Sequence, residues 1–130
     1  MQIEHRSPAH QDARGIILDV LRDSPVEFTT LVTSKAGSVR GNHYHTEATV
    51  HVFILEGSFE VYSKDVRGDE QTAAVVGTGD VVSFAPYDLH ALVALEDSAF
   101  LLLAHGKRGG ALTVAETLYD TRFHSNSRSN

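Results

Sequence analysis

The 130-residue chain has no cysteine, which excludes disulfides, thiolate-bound metals and thiol nucleophiles, so any metal must be held by nitrogen and oxygen. Basic residues are few: 11 Lys and Arg stand against 17 Asp and Glu, for a formal net charge of -6. A nucleic-acid backbone requires a clustered basic surface that such a chain lacks. Long apolar runs are missing as well, and the opening Met1-Gln2-Ile3-Glu4-His5-Arg6 is polar, unlike a leader. Neither a phosphate-cradling glycine loop nor a Ser-His-Asp order is present. These absences predict a soluble, cytoplasmic protein whose partner is a small molecule, with no nucleic acid and no membrane.

A chain of this length fits one domain and can bury roughly two-thirds of the surface that its unfolded form exposes. Residues 1–14 are polar and aperiodic and read as an N-terminal arm, loose or tied down by a neighbouring strand. The runs 15–21, 26–33, 50–55, 58–62, 72–76, 81–84, 90–95 and 98–104 are short, apolar or β-branched, and punctuated by Gly, Pro and Asp. Their spacing predicts an antiparallel sandwich or barrel over 15–106. Beyond it lies an extension, 107–130. There Ala111, Val114, Ala115 and Leu118 predict a short helix and the Ser/Asn-rich end predicts a disordered tail.

Eight histidines occur in the chain. His5, His10, His105 and His124 lie in polar or Gly-rich surroundings and read as surface residues. His43 and His45 differ, because residues two apart on a strand face the same side. His90 opens a later strand after a Gly-Asp turn and a proline turn. Three neutral imidazoles suit zinc, iron, copper or nickel and leave coordination positions open for water or substrate. The alternative is that His43 and His45 are polar residues at a strand entrance and that His90 satisfies a backbone carbonyl.

In Gly37, His43, His45 and Gly57, and again in Gly79 and His90, the chain resembles the cupin superfamily, whose two motifs carry these residues at these spacings. Ala85, Tyr87 and Ala94 stand where the second motif has proline, glycine and asparagine, and Val50 stands where most metal-binding cupins carry a glutamate ligand. The resemblance implies an all-β, single-domain cupin jelly-roll barrel. It implies either a three-histidine site (His43, His45, His90) for a divalent metal such as Fe, Zn, Ni or Mn, or a pocket in which His43 or His45 serves as a general base. His51, one step from Val50, would face the other side of its strand unless a bulge intervened.

Asp12-Ala13-Arg14-Gly15 together with Arg40-Gly41-Asn42-His43-Tyr44-His45 is similar, more narrowly, to cupins that process nucleotide-linked 4-keto-6-deoxy sugars. That resemblance implies isomerisation or epimerisation by proton abstraction next to a ketone, with Arg40 or a metal at the developing enolate oxygen. The alternatives are an iron dioxygenase with a three-histidine site and a non-catalytic metabolite-binding sensor. Tyr62, Tyr87 and Asp88 are the candidate substrate contacts, and Glu47 is the carboxylate nearest the histidine pair. The family further implies a homodimer formed through N-terminal strands, with residues 15–33 as the candidates.

Overall fold

The computed structural model describes residues 1–106; the expected helix and tail of the extension lie outside them. Eleven strands follow in order: β1 (Gln2–His5), β2 (His10–Asp12), β3 (Gly15–Ile17), β4 (Phe28–Ser34), β5 (Val39–His43), β6 (Thr49–Glu56), β7 (Ser58–Asp65), β8 (Gln71–Gly77), β9 (Asp80–Phe84), β10 (Asp88–Ala94) and β11 (Ser98–His105). They form two antiparallel sheets, β1-β9-β6-β11-β4 and β5-β10-β7-β8, and a separate β2-β3 hairpin. The expected all-β jelly roll is the observed fold. Among the described residues no helix is long and apolar enough to cross a membrane.

Alternation builds the core. Val50, Val52 and Ile54 on β6 face Phe59 and Val61 on β7, and Val82, Phe84, Leu92 and Phe100 close the space between the sheets. Phe59 and Phe100 meet edge to face at 5.5 Å, the geometry that aromatic quadrupoles favour. The β4–β5, β6–β7, β8–β9 and β10–β11 turns gather at one end of the barrel, and the β5–β6, β7–β8 and β9–β10 connections at the other. At Gly57 in the β6–β7 turn, φ is +82° and an added Cβ would fall on the Ser98 hydroxyl, so only glycine closes this hairpin.

The N-terminal arm, expected to be loose or tied down by a neighbouring strand, is tied down over its first residues, and the strand expected over 15–21 is corrected. Gln2–His5 is a strand of the larger sheet, in register with Ser83 to Asp80 on β9. An edge strand exposed on both faces carries no apolar alternation, so its sequence reads as an arm. The run 15–21 supplies only Gly15–Ile17, which pairs with His10–Asp12 and not with the barrel. Ile16 and Ile17 remain 55% and 60% exposed. A two-stranded hairpin is at best marginal in water by itself.

Candidate functional site

The β5–β10 pairing positions the histidines. His43 lies opposite His90, Gly41 lies opposite Ala91, and the register shifts between them. Asn42 is therefore an extra residue, a bulge of the kind that re-aims the following side chain. Gly41 and Asn42 both have positive φ, +86° and +60°. A Cβ on Gly41 would stand 2.9 Å from the His90 carbonyl oxygen, so the two strands meet this closely only over glycine. Beyond β5, the Tyr87 N–H donates to the His45 carbonyl at 2.7 Å and ties the second histidine to the β9–β10 turn.

The ring centroids of His43 and His45 are 4.8 Å apart, those of His43 and His90 4.9 Å, and those of His45 and His90 6.0 Å. One nitrogen from each of the three lies within 4.8 Å of the others. His45 and His90 are buried and His43 is half-buried. Phe84 stacks on the His90 ring at 4.2 Å and 14°. His90 Nδ1 is 2.9 Å from the Asp88 carbonyl oxygen; a carbonyl only accepts, so Nδ1 carries the proton and Nε2 keeps its lone pair.

Burial, reinforced by the neighbouring imidazoles, lowers the His90 pKa to about 3. Burial first, and then His45, lowers that of His43 to about 4, against an opposing hydrogen bond to the Gly41 backbone. Both rings are neutral at physiological pH. They are fit either to accept a proton or to donate a lone pair to a cation.

The remaining sequence-predicted residues lie elsewhere. Arg40 is three residues from His43, about 10 Å along an extended strand. It turns to the opposite end of the barrel, where its guanidinium donates to the Thr33 carbonyl at 2.7 Å and the Ser34 hydroxyl at 3.2 Å. There it lines a cleft of about 470 Å³ with Lys35, Glu56 and Asp97, so its expected place at an enolate oxygen is corrected. Tyr62 is corrected as well. Phe59 and Val61 face the core, so period two turns Tyr62 outward, where it packs with Leu89 and Ala91 and donates to Glu60.

Tyr87 and Asp88 do sit at the histidine end, in structural roles. Tyr87 holds φ +72° at the motif's glycine position, lies 6.2 Å from Tyr44 and carries Arg67 over its ring at 4.3 Å. The Asp88 carboxylate accepts from the Ala85 N–H at 3.1 Å and the Met1 ammonium at 3.3 Å. Glu47 is exposed and belongs to no cluster with the imidazoles. Val50 is core. His51 faces away, its Nδ1 2.7 Å from the Ser83 hydroxyl.

Sequence reasoning missed Asn42, the Asp88 carbonyl as the anchor of His90, and Ser63, a buried residue in register with His90 on β7. Of these only Asn42 had a sequence signal: asparagine after glycine, ahead of a His-x-His pair.

A family model described as the polysaccharide biosynthesis C-terminal domain matches residues 10–105. No curated protein matches by sequence. Among solved structures, the chain is similar to a dTDP-4-dehydrorhamnose 3,5-epimerase from Sulfolobus tokodaii, at 23% identity and TM-score 0.69, over 83% of this chain and 70% of that one. It is similar to a variant of the 3,4-ketoisomerase QdtA from Thermoanaerobacterium thermosaccharolyticum in complex with TDP-4-keto-6-deoxyglucose, at 15% identity and TM-score 0.73, over 98% and 93%. It is also similar to the capsular polysaccharide assembling protein CapF from Staphylococcus aureus, at 18% identity and TM-score 0.60, over 70% of this chain but 25% of that one. These likenesses establish a cupin fold shared with epimerases and ketoisomerases.

Proposed function

Because the chain belongs to the polysaccharide biosynthesis C-terminal domain family, we propose that it isomerises or epimerises a nucleotide-linked keto sugar by proton abstraction. The observation that carries this reading is the convergence of three imidazoles, two of them held neutral by burial, at one end of a cupin barrel. His43 is the least buried of the three and, as the base, takes the proton from the carbon beside the ketone. The C–H electron pair becomes the C=C bond and the ketone oxygen takes the negative charge. Return of a proton to the same carbon from the opposite face epimerises it. Return to the former carbonyl carbon, with loss of the neighbouring hydroxyl's proton, moves the ketone by one position.

The donor set also fits a divalent cation (Fe, Zn, Ni or Mn): His43, His45 and His90 would hold it through neutral nitrogens with no carboxylate, and His90 Nε2 has its lone pair available. A bound metal would supply Lewis-acid polarisation of the ketone. With iron, the three-histidine dioxygenase is the second reading, favoured by the absence of a carboxylate from the cluster among the described residues. The exposed Ile16 and Ile17, on a hairpin that pairs with no other strand among the described residues, support a homodimer as the working assembly.

The test is ¹H NMR of TDP-4-keto-6-deoxyglucose incubated with the protein in D₂O. Enzyme-dependent loss of the signal beside the ketone is expected and should disappear in His43→Asn. Unchanged signals, with or without added divalent metals, would remove the proton-abstraction reading. Oxygen consumption on iron loading would then favour the dioxygenase.

A further inference from the structure

Asn42 is 1% exposed, yet among the described residues neither its amide nitrogen nor its amide oxygen has a hydrogen-bond partner. Buried polar groups in folded chains are nearly always paired, and an orphaned one carries the full cost of its desolvation. This one is placed by construction. It is the extra residue of the β5 bulge, between Gly41, which abuts the His90 backbone, and His43. Tolerance of φ +60° does not account for it, since asparagine visits this region but glycine does so at least as readily and would bury no amide. A donor and an acceptor with no partner among the described residues, on the bulge that seats His43 opposite His90, are free to take a partner from a bound ligand.

We propose that the Asn42 carboxamide binds the reacting α-hydroxyketone. Nδ2–H donates to the ketone oxygen and Oδ1 accepts from the adjacent hydroxyl. This rests on the proton-abstraction reading and supplies what that reading lacks, because Arg40 is engaged at the far end of the barrel. As the C–H bond breaks and its electron pair moves toward the ketone, charge develops on the oxygen that Nδ2–H contacts. A donor already in place stabilises that oxygen more in the transition state than in the ground state. The amide oxygen and nitrogen match the hydroxyl and carbonyl of such a fragment in donor and acceptor order.

The test compares wild type with Asn42→Gly, which keeps the left-handed backbone and removes the amide, and with Asn42→Asp, which keeps size and shape but replaces the nitrogen donor. Proton exchange beside the ketone of TDP-4-keto-6-deoxyglucose in D₂O is measured for each, together with the urea midpoint. Exchange is expected to slow about 100-fold in both variants, with the Asn42→Gly midpoint at or above that of wild type. Exchange within about twofold of wild type in either variant would overturn the proposal. So would a lowered Asn42→Gly midpoint, which would mean that the amide is satisfied within the fold. Absence of exchange in wild type would overturn the proton-abstraction reading itself and this assignment with it.

Discussion

Replacing His90 by leucine should flatten the dependence of stability on pH. In the unfolded chain an imidazole titrates near 6.5, whereas burial holds folded His90 at about 3. The unfolded state therefore binds the proton first as pH falls. Stability that is fully present above 6.5 is lost progressively below it and is gone once pH passes the folded value. Between neutrality and pH 5 the fall covers about 1.5 pH units at about 1.4 kcal/mol each, so His90 alone removes about 2 kcal/mol. That is a sizeable part of the 5–15 kcal/mol typical of a domain.

The assay is urea unfolding of wild type and His90→Leu at about pH 7.5 and pH 5, in chelator so that no metal competes with protons. The two proteins need not be equally stable at either pH, because leucine also changes the packing on Phe84. The quantity that matters is the change between the two pH values, expected to be about 2 kcal/mol smaller in the variant. An equal change in both would show that folded His90 titrates near the unfolded value. Burial as the cause that keeps the ring neutral into the acid range would then fail.

Gly57→Ala should destabilise by about 2–4 kcal/mol in urea melts, because it combines a left-handed φ with a Cβ on the Ser98 hydroxyl; a loss under about 0.5 kcal/mol would mean that the β6–β7 turn rearranges easily. Arg40→Gln should leave proton exchange within about twofold of wild type, since its guanidinium is bound at Thr33 and Ser34; a larger loss would restore it to the site. His45→Ala should release any stoichiometric metal, measured per chain by elemental analysis, and unchanged content would remove it as a ligand. Ile16→Ser with Ile17→Ser should shift sedimentation from dimer to monomer, and an unchanged dimer would place the interface elsewhere.

The fold was legible where one face of a strand is buried. Phe59 and Val61 alternate with Ser58 and Glu60 on β7, and the Gly57 turn separates them from the apolar run of β6. It was illegible at the N-terminus, where β1 is held by its backbone at a sheet edge and the hairpin residues Ile16 and Ile17 look like core but are exposed. The histidines were legible because His-x-His on a strand and a histidine after a proline turn are local patterns. Arg40 and Tyr62 were misplaced for one reason: which face or end of the barrel a residue serves depends on register and on the partner strand.

The sequence by itself determined the all-β class, the absence of thiol chemistry and the identity of the three imidazoles, since composition, period-two alternation and residue spacing are local properties. Only the tertiary structure decided that residues 47 positions apart would meet, that burial would hold two of the rings neutral, and that Arg40 would serve the opposite end. Those outcomes follow from cross-strand register and from desolvation, and both exist only once the sheets have paired and closed.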